Sequence, residues 1–243
     1  MRFSWLFCLM AAVCPPIHAQ QTMVFSAVQD TLISDINQVI IREAYNRLGI
    51  KVVIKAAPAA RALQQSNSGK YDGELFRIAN IHKKYTNLMM IPVVSYEVEI
   101  RVYSKLKEFR VAGWDSLKPY KVGIERGVVF SDIATKGMDR QVVNTVQQLF
   151  KILYMKRVDI VVTDVWSALG ALHALQQEGI STKEIRALSP KVMVIQLHHY
   201  LHKKHKALIP KVSQAIQSSI QAGVVKKAES NIFSQYSLGK TAP

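Results

Sequence analysis

Apolar positions between residues 20 and 80 alternate between runs typical of strands and the four-residue spacing of a helix. Strand-like runs cover Met23 to Val28, Lys51 to Ala56 and about Gly73 to Ile78. After the first run, apolar residues recur every four positions from Ile36 to Leu48, and Gly49 is suited to end that helix. A second helix is predicted from Pro58, which a first helical turn tolerates, to Gly69. This β-α-β-α-β order predicts a parallel sheet with right-handed crossovers.

The rest of the chain continues the alternation after one long extended segment at Ile91 to Ser104. Later strands are predicted at Lys121 to Ile124, Gln141 to Val146, Asp159 to Thr163 and Met193 to Tyr200. Later helices are predicted at about Val129 to Lys136, Gln147 to Lys156, Val165 to Gln177, Ile209 to Ile220 and Val224 to Tyr236. The fold class is therefore α/β.

Two α/β lobes joined by two extended segments, at about 91–104 and 192–201, form a hinged clamshell. The predicted boundaries place residues 20–95 and 201–243 in lobe 1 and residues 96–200 in lobe 2. A ligand would lie in the cleft between the lobes, at the strand ends where α/β sheets bind ligands.

The N-terminus has the three parts of an export signal. Arg2 supplies a positive charge, Phe3 to Val13 an apolar stretch, and Ile17-His18-Ala19 a cleavage site. The apolar stretch is about half the roughly 20 residues that span a bilayer, so a cleaved signal at 1–19 is favoured over a retained anchor. A lipoprotein at Cys14 is the weaker alternative. We expect a periplasmic protein without cysteines, because Cys8 and Cys14 both lie in the signal.

The charge is strongly basic, with 32 Lys and Arg against 17 Asp and Glu. Removal of Arg2 with the signal leaves 31 basic residues and a formal charge of +14. The basic residues are spread along the chain and lack the interleaved aromatics of a single-strand-binding surface. The composition favours a solvated basic surface or an anionic ligand over nucleic acid.

Four stretches resemble extracellular solute-binding protein family 3, the type that serves polar amino acid uptake, and most closely its short gammaproteobacterial members. They are Pro58-Ala59-Ala60-Arg61-Ala62-Leu63 with Asp72-Gly73-Glu74 and Arg77; Tyr120 to Gly127; Arg157 to Asp164; and His199 to His205 with Leu208 and Pro210. The resemblance implies a type II periplasmic-binding-protein clamshell that captures a small polar solute, without a cofactor. It also implies a monomer that serves an ABC permease or a membrane sensor.

One position departs from the family pattern. Amino-acid binders carry Thr or Ser directly after the Arg-Gly of the second lobe, where the hydroxyl holds the ligand carboxylate. This chain has Val128-Val129-Phe130 there, and Ser131 is the first hydroxyl. A non-transporting envelope protein with a degenerate cleft is therefore one alternative function.

Cationic and acidic residues near the predicted strand ends are candidate ligand contacts. Arg77 could clamp a carboxylate bidentately. The alternative is that Arg77 forms a surface ion pair with Glu74. We expect such a pair to be imperfect, because side chains three residues apart on a strand diverge. Arg61 points inward or is solvated. Asp72 and Glu74, two apart on a strand, share a face and could bind an ammonium group or perform acid–base chemistry.

The second lobe and the first hinge strand supply the other candidates. Asp164 binds an amino group or caps the following helix. Trp166 stacks on a ligand or fills the core. Tyr96, Glu97 and Arg101 lie on the first hinge strand, from which they could reach the cleft. Arg126 with Gly127 either precedes a helix N-terminus suited to anions or forms a plain turn.

No metal and no enzyme motif is predicted. His198 and His199 face opposite sides of a strand, and no acidic residue lies in the His198 to His205 segment, which argues against a metal site. The chain lacks a G-x-S-x-G elbow, HExxH, G-x-G-x-x-G and a P-loop. A solute-binding protein is the leading hypothesis, and a periplasmic enzyme of the dehydratase type on the same fold is the alternative.

Overall fold

The computed structural model describes residues 20–236. The predicted signal peptide, with Cys8 and Cys14, lies outside the described residues, as do residues 237–243.

One sheet of nine strands runs through the described chain. The strands are β1 (Thr22–Val28), β2 (Lys51–Ala57), β3 (Gly73–Ile78), β4 (Leu88–Ser104), β5 (Val122–Glu125), β6 (Arg140–Val143), β7 (Ile160–Asp164), β8 (Arg186–Ala187) and β9 (Met193–His202). Their order is β2-β1-β3-β9-β4-β7-β5-β6, and β8 pairs with β4. Mixed α/β architecture is confirmed.

Within residues 20–236, seven α-helices flank the sheet. They are α1 (Leu32–Asn46), α2 (Ala59–Asn67), α3 (Val129–Ala134), α4 (Val146–Tyr154), α5 (Val165–Gln177), α6 (Ile209–Gln221) and α7 (Val224–Tyr236). Short 3-10 turns at Ile81–Lys83, Trp114–Leu117 and Lys203–Leu208 have no counterpart in the predicted elements.

The strand directions divide the sheet into two parallel sets. The first set is β1, β2 and β3, and the second is β5, β6 and β7. Strands β9 and β4 separate the sets: β9 is antiparallel to β3, β4 is antiparallel to β9, and β7 is antiparallel to β4. The two sets therefore point toward each other, and the parallel pairing predicted for the first three strands is confirmed.

The two long strands β4 and β9 connect both halves of the fold. One apolar core extends from Phe25 and Ile40 in the first half to Ile100 and Trp166 in the second. A separate cluster, which includes Phe150 and Leu175, packs helices α4 and α5 on the second half. The predicted lobe boundaries fall inside β4 and β9, and they stay predictions.

Candidate functional site

The register of the sheet defines a gap between the two sets of strand ends. Ile78, the last residue of β3, is opposite Leu197, which is opposite Tyr96 of β4. Asp164, the last residue of β7, is opposite Ile100 of the same strand. Four residues of strand at about 3.3 Å each give a gap of about 13 Å along β4. We call this gap the cleft; the carboxyl ends of both parallel sets border it.

Arg77 and Glu74 form a buried ion pair at the lobe 1 side of the cleft. Arg77 Nε is 2.6 Å from Glu74 Oε2, and Arg77 Nη2 donates to the Ala59 carbonyl oxygen at 3.2 Å. The expectation that side chains three residues apart on a strand diverge is wrong here, because the pairing register of β3 with β9 shifts between Glu74 and Arg77. The two contacts fix the orientation of the guanidinium.

Glu74 is fully buried, so in this structure it supports Arg77 and does not line the cleft. Its other carboxylate oxygen accepts hydrogen bonds from Ser26 and Ser66. Burial raises the pKa of Glu74, although Arg77 and the two hydroxyls act in the opposite direction. Asp72, its expected companion, instead contacts Lys204 at 2.8 Å, His205 at 2.7 Å and the Val24 amide at 2.8 Å. The two carboxylates thus hold separate sets of partners.

Two carboxylates lie at the lobe 2 side of the cleft. Asp164 Oδ1 accepts hydrogen bonds from the amides of Trp166, at 3.0 Å, and Ser167, at 2.8 Å, and so caps α5. Glu125 ends the neighbouring strand β5, and burial together with the charge of Asp164 raises its pKa. Among residues 20–236, neither carboxylate has a Lys or Arg within ion-pair distance. Glu125 is not among the ligand residues predicted from the sequence.

The two remaining predicted cleft residues are more exposed. Arg126 follows Glu125 and donates to Asn144 Oδ1 at 3.0 Å. Arg61 lies exposed on α2. Ser131 is buried and donates to the Val128 carbonyl oxygen, so its hydroxyl is satisfied within its own helix. Val129 is 67% exposed beside it.

Tyr96, Arg101 and Trp166 line a separate cavity of about 910 Å³ between the hinge strands β4 and β9 and the helices α6 and α7. We call it the hinge cavity; Arg61, Glu74, Arg77, Arg126 and Asp164 do not line it. Trp166 Nε1 donates to the Tyr96 hydroxyl at 2.6 Å, and that hydroxyl donates to Glu229 Oε1 at 2.8 Å. Burial and the neighbouring Glu229 raise the pKa of Tyr96. Of the eight predicted ligand residues, Tyr96, Arg101 and Trp166 therefore line the hinge cavity and the other five do not.

The histidines of the segment from His198 to His205 make structural contacts. His198 Nδ1 contacts the carbonyls of Ile91 and Val93, whereas His199 contacts Tyr45 and Leu75. Folding also brings Asp72 to His205, a contact that the sequence segment does not reveal. Within residues 20–236, no group of three or more His, Cys, Asp or Glu side chains is arranged to hold a metal ion.

Helices in the described part of the chain are too short or too polar to cross a bilayer. No known protein-family model matches the sequence. An uncharacterised protein of Shewanella oneidensis is 24% identical over 201 residues, which cover 78% of this chain and 73% of that protein.

Solved structures with the same fold include binding proteins and a sensor. A histidine kinase sensor domain similar to periplasmic binding proteins matches with a TM-score of 0.65 and 12% identity, over 87% of this chain and 96% of that chain. An amino acid ABC transporter substrate-binding protein from Streptococcus pneumoniae, bound to L-arginine, matches with a TM-score of 0.62 and 15% identity, over 88% and 95%. The fold is that of the periplasmic-binding-protein clamshell, as predicted.

Proposed function

We propose that this chain is a periplasmic solute-binding protein that captures a small polar solute, an amino acid or a related compound. One observation carries the proposal: the ends of two opposed parallel sets of strands border a cleft of about 13 Å that has Arg77 on one side and Glu125 and Asp164 on the other. The amino-acid-binding neighbours support the same class of ligand.

The charges of the cleft favour a ligand that carries both an anionic and a cationic group. Arg77 uses its Nε for Glu74 and one N–H of Nη2 for the Ala59 carbonyl oxygen, so its other guanidinium N–H groups remain for a ligand carboxylate. Glu125 and Asp164 have no cation within ion-pair distance among the described residues, so a ligand ammonium or guanidinium would relieve their mutual repulsion. A cationic amino acid has a carboxylate for Arg77 and a cationic group for Glu125 and Asp164.

The mechanism is capture by closure. The two halves are connected through β4 and β9, and bending of these strands would bring Arg77 and the two carboxylates onto opposite ends of one solute. A solute that contacts both sides stabilises the closed state over the open one by its differential affinity. No covalent step is required.

The partner is an ABC permease or a membrane sensor. The neighbours that support each choice are the transporter substrate-binding protein and the histidine kinase sensor domain. A signal peptide at 1–19 would deliver the protein to the periplasm, where we expect it to act as a monomer.

Residues 20–243 can be screened by thermal shift against amino acids, polyamines and small organic acids, with calorimetry for each hit. A ligand at 100 times its Kd adds about 2.7 kcal/mol to stability. We expect arginine or lysine to bind, Glu125→Gln and Arg77→Ala to weaken binding at least tenfold, and the exposed control Glu108→Gln to leave it unchanged. No shift with any compound would overturn the proposal and favour the degenerate cleft.

An enzyme of the dehydratase type is the second candidate, favoured by one observation. Glu125 has a raised pKa beside the capping carboxylate Asp164, which is the environment of a general acid. Turnover of hydroxy acids that is lost in Glu125→Gln while their affinity is kept would support the enzyme. Loss of affinity alone supports the binding protein.

A further inference from the structure

The hinge cavity has two carboxylates without a cationic partner. Glu229 of α7 accepts from the Tyr96 hydroxyl, and Glu97 of β4 accepts from Gln196 Nε2 at 3.0 Å. Neither has a Lys, Arg or His within ion-pair distance in residues 20–236. Both line the hinge cavity, Glu97 from the strand side and Glu229 from the helix side.

The other charges of the hinge cavity are largely compensated. Glu99 is 2.7 Å from both Arg101 and Lys191, so this one carboxylate forms ion pairs with two cations. Along β4, Arg101 is four residues from Glu97, or about 13 Å. Lys226 also lines the cavity from α7, one helical turn before Glu229, and its side chain is exposed. The region around Glu97, Glu229 and Tyr96 is therefore the acidic end of the cavity.

Apolar and aromatic side chains surround this acidic end. Trp166 and Phe233 pack with ring centroids 4.9 Å apart, and Val94, Val194 and Val225 are among the other apolar residues of the lining. Glu229 is fixed by the hydrogen-bond chain from Trp166 through Tyr96. A half-buried carboxylate beside aromatic rings is the arrangement that proteins use to bind organic cations.

We propose that the hinge cavity is a second binding site, for an organic cation that has an ammonium or guanidinium group on an apolar body. The cationic group lies between Glu229 and Glu97, and the apolar body lies against Phe233 and the valines. The volume of about 910 Å³ accommodates such a molecule. The cavity shares the β4 segment from Tyr96 to Glu99 with the cleft, but the cleft residues Arg77, Glu125 and Asp164 do not line it.

The site can be tested with 2-phenylethylamine as the probe. Trp166 is the only tryptophan of residues 20–243 besides Trp114, so Trp114→Phe isolates its fluorescence. We expect a saturable change in Trp166 fluorescence and a matching calorimetric Kd. Glu229→Gln, which preserves shape and the acceptor for Tyr96, should weaken binding at least tenfold, and Glu97→Gln should weaken it less because Glu97 is more exposed.

Three controls make the result decisive. The neutral 2-phenylethanol should not bind, Glu108→Gln should bind like the parent, and Glu125→Gln, altered only in the cleft, should also bind the probe normally. Absence of binding, equal binding of the alcohol, or unchanged binding in Glu229→Gln would each overturn the proposal. Loss of probe binding in Glu125→Gln would instead place the amine in the cleft, and this result would also overturn the proposal.

Discussion

The Arg77 guanidinium forms an ion pair with the buried carboxylate of Glu74, with 2.6 Å between Nε and Oε2. The Arg77 side chain is only 12% exposed and that of Glu74 is fully buried. Such a pair fixes the direction of the remaining guanidinium N–H groups, which a bidentate contact with a carboxylate requires. The stability of lobe 1 and the geometry of the cleft thus depend on the same contact.

Glu74→Ala should destabilise the protein strongly. It leaves Arg77 largely buried without its counter-charge and removes one of the acceptors of the Ser26 hydroxyl, so we expect a loss of about 3 kcal/mol in the free energy of unfolding. Urea denaturation of residues 20–243 measures it. The matched control is Glu43→Ala, which breaks the exposed i,i+4 pair with Arg47 and should cost less than about 0.5 kcal/mol. Equal losses in the two variants would contradict the buried-pair interpretation.

Asp164 has two roles that two substitutions separate. Asp164→Asn keeps a capping oxygen for the amides of Trp166 and Ser167 but removes the charge, and Asn caps helices about as well as Asp. We expect nearly unchanged stability and at least tenfold weaker binding of a cationic amino acid. Asp164→Ala should additionally lose about 1 kcal/mol of stability with the cap. Parent-like affinity in Asp164→Asn would remove this carboxylate from the proposed site.

Two glycines should respond in opposite directions to alanine. A Cβ on Gly73 would lie 2.0 Å from the Tyr200 carbonyl oxygen, so Gly73→Ala must separate β3 from β9 and should cost about 1–3 kcal/mol. A Cβ on Gly170, inside α5, meets no atom within 4 Å, so Gly170→Ala should stabilise by about 0.5–1 kcal/mol. Thermal unfolding of both variants measures the contrast. A stable Gly73→Ala protein would mean that β3 and β9 are farther apart than described.

Local signals make much of the fold predictable from the sequence. The helices at Val165–Gln177 and Val224–Tyr236 match the predicted bounds. Asp164 caps the start of the first helix and a glycine lies just after its end, and another glycine directly precedes the second helix. Glu125 is not predicted, since its proximity to Asp164 arises from the pairing of β5 with β7, which no local pattern reveals. The Glu74–Arg77 contact depends on a register shift that sequence spacing does not contain. Long-range pairing, rather than element type, limits the prediction of the site.

His199 should make the stability of the protein depend on pH. It is fully buried: its Nδ1 donates to the Leu75 carbonyl oxygen, because a carbonyl can only accept, and its Nε2 therefore accepts from the Tyr45 hydroxyl at 3.0 Å. These contacts select the neutral imidazole. Burial lowers the pKa of His199 to about 4, although the hydrogen bond to Leu75 acts in the opposite direction.

The sign of the pH effect follows from the lowered pKa. The unfolded chain binds a proton on this histidine near pH 6.5 and the folded protein only near 4, so the stabilising contribution is complete above pH 6.5 and is lost as the pH falls toward 4. Between pH 7 and 5 we expect a loss of about 2 kcal/mol, measured by urea denaturation. His199→Gln should flatten the curve in this range, whereas His82→Gln, an exposed control, should keep it. An unchanged slope in His199→Gln would assign the pH dependence to other groups.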